Sequence, residues 1–157
     1  MPAQAPRVIS PHITTSTCMA TTAVFVDTGA FFALEYARDQ HHQAAQAIFA
    51  RIRLRPCPLI TTALVLSESV NLLHRRVDAA HAVAFGERVL NSRHIEITAV
   101  DGGLVARAWD EFRRHAAAGV SIVDCVSRVV IRDRNIVRVF AFDQHLQTDS
   151  ARLLAEE

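Results

Sequence analysis

Short apolar runs alternate with longer segments of helical periodicity from Ala23 onward, and this alternation constrains the fold more than any other feature of the chain. It is typical of an α/β domain with a mainly parallel sheet. The predicted strands cover residues 23–27, 58–61, 94–98 and 137–142. The predicted helices cover residues 29–37, 40–54, 62–76, 79–92, 101–117, 121–134 and 144–154.

The length of the chain limits how this pattern is divided into domains. A chain of 157 residues with 50% hydrophobic content can bury one full core but not two independent ones. We therefore predict a single domain over residues 23–157. Residues 1–22 are rich in Pro, Ser, Thr and Ala and lack an apolar run long enough for a signal peptide or membrane span, which predicts a flexible leader. An upstream start codon, with true initiation at Met19, explains the same segment equally well.

The basic residues exclude several kinds of chemistry. All 17 are arginines and the chain has no lysine, so a P-loop, a Schiff-base enzyme or a phosphoaspartate enzyme cannot be built in its usual form. The net charge of +1 gives no overall basic signature for nucleic-acid binding, so any polyanion must be held locally. Three widely separated cysteines without a Cys-x-x-Cys pair favour a reduced, cytoplasmic location rather than a zinc or redox site.

Four acidic residues lie inside or against short apolar runs, where a carboxylate is costly unless something compensates for it. They are Asp27, Glu68, Asp124 and Asp143. Asp27 and Asp143 follow predicted strands, and ligands of open α/β sheets bind outside the carboxyl ends of strands. If the fold gathers these carboxylates, they predict a divalent-cation site.

Each acid also has a purely structural interpretation. Asp27 and Asp143 are suited to capping the helices that follow them, and Ser121 with Asp124 matches a capping box. The hydroxyl of Thr28 suits either a cap or a metal-bound water. Glu68 shares a predicted apolar stripe with residues 64 and 72, which aims its carboxylate inward, either to the site or to a buried partner. The order of all four is more specific than any one of them.

This combination resembles the PIN-domain ribonucleases, and more narrowly the VapC toxins of bacterial toxin–antitoxin pairs. The matching segments are residues 24–34, beginning Val-Phe-Val-Asp-Thr-Gly, then 39–45, 67–68, 121–127 and 142–146. They extend from about residue 23 to the C-terminus. Two positions depart from the family pattern, Leu146 where Phe is frequent and Ala141 where Thr is common.

The resemblance implies a PIN-like three-layer α/β/α fold around a central, mainly parallel sheet of about four to five strands. It also implies that Asp27, Glu68, Asp124 and Asp143 hold Mg²⁺ or Mn²⁺ and cleave RNA, with Thr28 and Ser121 in support. A VapB-like antitoxin is implied as partner, and apolar helix faces favour a homodimer.

Two other functions fit the same residues. One is a PIN-like module that binds RNA or a partner without cleaving, although four intact acids argue against it. The other is a phosphoaspartate hydrolase or receiver, since Asp27 ends a first strand. The missing lysine, and the absence of a second Asp two residues after Asp27, disfavour this option.

Overall fold

A five-stranded parallel sheet forms the middle of the fold in the computed structural model, which describes residues 21–156. The strands are β1 Thr21–Val26, β2 Leu59–Thr62, β3 Ile95–Thr98, β4 Ile136–Phe140 and β5 Arg152–Leu153. Their order across the sheet is β3-β2-β1-β4-β5, and every pairing is parallel. The predicted start at Met19 and most of the predicted leader lie outside the described residues, whereas residues 21 and 22 already belong to β1.

Six α-helices connect the strands. They are α1 Thr28–Glu35, α2 His42–Leu54, α3 Ala63–Arg76, α4 Ala79–Leu90, α5 Gly102–His115 and α6 Ile122–Asp133. Helices α1 to α4 contact one another as one group, and α5 packs against α6. This arrangement confirms the predicted α/β/α fold with its mainly parallel sheet.

The core is centred on β1 and its neighbour β4. Val24, Phe25 and Val26 are almost completely buried, as are Val139 and Phe140. Strands covered by helices on both faces have this continuous apolar character, which explains the apolar runs of β1 and β4 in the sequence. Within residues 21–156, no helix is both long and apolar enough to cross a membrane.

The predicted last helix over residues 144–154 is wrong. In place of an α-helix, a 3₁₀ turn, Gln144–Leu146, follows Asp143. A bend then leads to β5, and a second 3₁₀ turn, Leu154–Glu156, follows β5. Ala151 and Leu153 are buried, and Leu153 pairs with Val139 of β4. Burial at the edge of the sheet therefore prevails over the helical periodicity of this segment.

Candidate active site

Asp27 lies where β1 meets α1, at the carboxyl end of the central strand. Its backbone N–H donates to the carbonyl of Phe140 on β4, with N and O 3.0 Å apart. Its side-chain Oδ2 accepts the N–H of Gly29 at 3.2 Å, so the predicted helix cap is confirmed. The residue is only 7% exposed.

The electrostatic setting of Asp27 differs from that of an ordinary helix cap. The pKa of its carboxyl is raised from 3.8 to about 6, mainly by burial and in smaller part by the negative charges of Asp124 and Glu68, against backbone hydrogen bonds that lower it. Both charges act on Asp27 from elements distant in sequence. The fold therefore brings three of the four predicted acids into one local field.

Glu68 reaches this region through a contact with Thr28, whose Oγ1 donates a hydrogen bond of 2.6 Å to Oε2 of Glu68. The prediction that its carboxylate points into the core is wrong. Glu68 is exposed, and the buried face of α3 consists of Val65, Ser69 and Leu73. The buried stripe lies one residue further along the helix than predicted.

Asp124 occupies the first turn of α6. The Ser121 hydroxyl accepts the N–H of Asp124 at 3.0 Å, and Oδ2 of Asp124 accepts the N–H of Ser121 at 2.8 Å. This confirms the predicted capping box, which fixes the orientation of the carboxylate. Among the described residues, Oδ1 of Asp124 has no hydrogen-bond donor and is available to a ligand.

Asp143 lies beyond β4, the neighbour of β1, so the two strand-end acids do follow adjacent strands. Its Oδ1 accepts the N–H of His145 at 2.8 Å, which caps the short 3₁₀ turn as predicted. Because Val26 pairs with Phe140, Asp27 is level with Ala141, and Asp143 is two residues further out. Its side chain is 57% exposed, and Asp143 is absent from the charges that act on Asp27.

His145 is a further candidate for the site, and the sequence analysis did not single it out. Its Nδ1 lies 3.4 Å from Oδ1 of Asp143 and 3.9 Å from Oδ2 of Asp124, so the ring stands between the two carboxylates. The signal in the sequence is the spacing Asp-x-His directly after a strand.

The structure therefore links the acids pairwise. Asp27 interacts with Glu68 and Asp124, and His145 connects Asp124 with Asp143. Over residues 21–156, no three His, Cys, Asp or Glu side chains converge closely enough to hold an ion as they stand. The candidate metal ligands are all carboxylate oxygens, which hard divalent cations prefer. A cation would also relieve the repulsion that Asp124 and Glu68 exert on the carboxylate of Asp27.

The sheet is parallel, and acidic side chains gather at the carboxyl ends of its middle strands. These two features define the class of protein as an α/β domain with an acidic site at the edge of its sheet. A model of the PIN domain matches residues 24–149. The chain therefore belongs to the PIN domain family.

A known relative narrows this assignment. The chain is 33% identical over 120 residues to the 23S rRNA-specific endonuclease VapC20 of Mycobacterium tuberculosis, present in two strains, over 76% of this chain and 88% of the relative. This similarity confirms the resemblance to VapC toxins that the motifs indicated.

Two solved structures share the fold. The crystal structure of M. tuberculosis VapC20, described as a sarcin–ricin loop cleaving toxin, superposes with a TM-score of 0.71 at 32% identity, over 77% of this chain and 90% of that one. DNA-bound VapBC from Salmonella typhimurium gives a TM-score of 0.58 at 14% identity, over 86% and 97%, which supports the fold alone.

Proposed function

We propose that this chain is a metal-dependent endoribonuclease, the toxin of a toxin–antitoxin pair, and that Asp27, Glu68, Asp124 and Asp143 form its active site. The observation that carries the proposal is the state of Asp27. A carboxylate buried at the end of the central strand, with two further acids acting on it, is costly for the fold. Perturbed acids of this kind are typical of functional sites.

The carboxylates of Asp27, Glu68, Asp124 and Asp143 are the groups proposed to hold Mg²⁺ or Mn²⁺. Such an ion supplies the positive charge that polarises a scissile phosphate and activates a water for in-line attack. The proposed need for this charge follows from the carboxylates themselves, because gathered negative charges would repel the phosphate unless a cation lay between them.

Side chains of the proposed site orient the carboxylates. The capping box holds Oδ2 of Asp124 and leaves Oδ1 without a donor among the described residues, so we assign Oδ1 as the acceptor for a proton of the attacking water. Thr28 fixes one oxygen of the otherwise exposed Glu68. Nδ1 of His145 lies within 3.9 Å of a carboxylate oxygen of both Asp124 and Asp143, and in its protonated form the ring would attract both.

The similarity to VapC20 indicates which substrate to examine first. That relative is named for its action on 23S rRNA, and its alignment with this chain covers most of both proteins. We propose a structured ribosomal RNA as the substrate and a VapB-like antitoxin as the partner. A homodimer remains a prediction, consistent with exposed apolar residues such as Trp109 and Val83.

The test is cleavage of purified 23S rRNA by the full chain with Mg²⁺ or Mn²⁺, followed by mapping of the new RNA ends. Wild-type protein is expected to cut at discrete positions, and EDTA is expected to abolish cutting. Asp27→Asn and Asp124→Asn should remove activity while the protein stays folded, because asparagine retains an oxygen that can cap a helix.

Asp78→Asn is the matched control for these variants. Asp78 caps α4 by accepting the N–H of His81 at 2.7 Å, so the same change at a helix cap outside the acidic site should leave cleavage intact. Full cleavage in EDTA, or by both site variants, would disprove a metal-dependent nuclease. Discrete binding of RNA without any cleavage would favour the non-catalytic module instead.

A further inference from the structure

A row of charged residues runs along one face of α6, beginning at the proposed active site. Asp124, Arg128 and Arg132 are spaced four residues apart, so they share a face of the helix. At 1.5 Å per residue, Arg128 is displaced from Asp124 by about 6 Å along the helix axis and Arg132 by about 12 Å. The face therefore changes from negative to positive within one turn.

The two arginines line a cleft of about 320 Å³ between α5, α6 and the bend that follows the 3₁₀ turn of His145. Its polar lining includes Arg114, His115, Arg128, Arg132, Thr148 and Ser150. One wall thus belongs to α6, whose first turn carries Asp124, and another follows shortly after Asp143 and His145 in the chain. Two segments of the chain, α6 and residues 143–150, therefore contribute residues to both the cleft and the acidic site.

The cleft contains more positive than negative side chains. Glu111 is buried on α5 and lies 2.6 Å from the guanidinium of Arg132, which it neutralises and holds in place. Asp149 adds one further negative charge, against the guanidinium groups of Arg114 and Arg128. Nε of Arg114 donates to a backbone carbonyl, that of Asp110, so its charge is not cancelled. The three arginines outnumber the two acids.

Arg128 is the residue that distinguishes this cleft from an ordinary charged surface. It is half-buried, and no described residue forms a hydrogen bond or ion pair with its guanidinium. A partly desolvated cation without a partner is unfavourable unless an anion completes it. Other arginines near this end of the chain do have partners, since Arg134 pairs with Glu96 and Arg107 with Asp133.

We propose that this cleft binds backbone phosphates of the RNA strand next to the scissile phosphate, with Arg128 as the principal contact and Arg114 as the second. The inference rests on the proposed nuclease function and assigns the part of the chain that holds its substrate. A strand whose scissile phosphate lies at the acids enters the cleft directly, because Arg128 is one helical turn from Asp124. The hydroxyls of Thr148 and Ser150 offer additional donors to phosphate or sugar oxygens.

The experiment measures RNA binding in EDTA, where the proposed nuclease does not cut. The probe is a short, fluorescein-labelled single-stranded RNA of mixed sequence, and fluorescence anisotropy is recorded over a series of salt concentrations. Loss of one phosphate contact should lower the slope of log K against log salt by about 0.7, which weakens binding about fivefold near 0.1 M salt. Arg128→Ala is expected to show both effects, and Arg114→Ala the same effects in smaller degree.

Two further variants make the result specific. Arg76→Ala removes the same charge from the exposed end of α3, two turns beyond Glu68, and is expected to leave the slope unchanged. Arg128→Lys keeps the charge and should recover most of the slope. If Arg128→Ala and Arg114→Ala both retain the wild-type affinity and slope, the proposal is wrong.

The two proposals fail in different ways. If wild-type protein does not cleave rRNA in Mn²⁺ while Arg128→Ala still weakens RNA binding, the nuclease proposal fails and the cleft remains an RNA-binding site. If cleavage occurs and the two arginine variants bind RNA normally, the nuclease stands and the cleft proposal is overturned.

Discussion

The hydroxyl of Thr28 donates a 2.6 Å hydrogen bond to Oε2 of Glu68, 40 residues further along the chain. This bond joins the first turn of α1 to α3 beside the carboxyl end of the central strand. Thr28 is buried and Glu68 is exposed, so the bond restrains a side chain that solvent would otherwise leave mobile. The position of Glu68 therefore depends on a residue next to Asp27.

Replacement of Thr28 by valine should lower kcat for RNA cleavage about tenfold, because a hydrogen bond to a charged group contributes about 1.5 kcal/mol. KM should change little, since Thr28 orients Glu68 and does not hold the RNA strand. Steady-state cleavage assays of Thr28→Val measure both constants. Thr28→Ser keeps the hydroxyl and should retain activity, and an unaffected kcat in Thr28→Val would refute the orienting role.

The stability of the metal-free protein should decrease as the pH rises through the acid range. The pKa of Asp27 is about 6 in the folded protein against an ordinary value of 3.8, so between these values the folded state binds a proton that the unfolded state has released. The free energy of unfolding therefore falls with rising pH by as much as about 3 kcal/mol, and the loss is complete above pH 6. Urea unfolding in EDTA from pH 4 to pH 8 measures it.

Asp27→Asn should abolish most of that decrease and make the metal-free protein more stable than wild type at neutral pH. The neutral amide can still cap α1, so the change isolates the charge from the cap. Asp78→Asn provides the comparison at an exposed cap and should keep the wild-type dependence on pH. A pH dependence that is identical in all three proteins would rule out Asp27 as its source.

Binding of Mn²⁺ should compete with the proton on Asp27. Below pH 6, the apparent dissociation constant is expected to weaken by about tenfold for each unit of pH, because the ion must displace one proton. Isothermal titration calorimetry at several pH values, in buffers of different ionisation enthalpy, measures both affinity and proton release. Equal affinity at pH 5 and pH 7 would contradict Asp27 as a ligand.

Gly119 should be intolerant of a side chain. Its φ of 82° is left-handed, and the residue ends another 3₁₀ turn, Ala116–Ala118, which leads to Ser121 and α6. Gly119→Ala should cost about 1–2 kcal/mol of stability because the Cβ atom is strained in this conformation. Gly102→Ala is the control: a Cβ there meets nothing within 4 Å at the start of α5, and the change should be neutral or stabilising. Thermal denaturation compares the two variants.

The sequence predicted four of the five strands, the six main helices and three of the caps, because these features depend on local patterns. It did not predict which face of α3 is buried. Leu64, Val65, Leu72 and Leu73 provide two adjacent apolar stripes, and tertiary packing buries the one that contains Ser69, whose hydroxyl donates to the carbonyl of Val65 at 2.7 Å. Glu68 consequently reaches the site from the exposed side.

Long-range contacts explain the other differences. Residues 144–154 have a helical pattern, but pairing of Leu153 with β4 depends on a strand that is already in place. His145 lies beside the acids because the turn after Asp143 packs close to the first turn of α6. This proximity could not be inferred from spacing, because it depends on how α6 packs against the sheet.

Asp27, Asp124 and Asp143 each fasten the start of a helical segment as well as contributing charge to the proposed site. A single-nucleotide change from an aspartate to an asparagine codon would remove the charge and keep the fastening. Such mutations would silence the proposed nuclease activity and leave a well-folded protein. Inactive alleles of this gene should therefore accumulate at the three aspartates without a cost to folding, and a lineage could lose the proposed activity while keeping the folded domain.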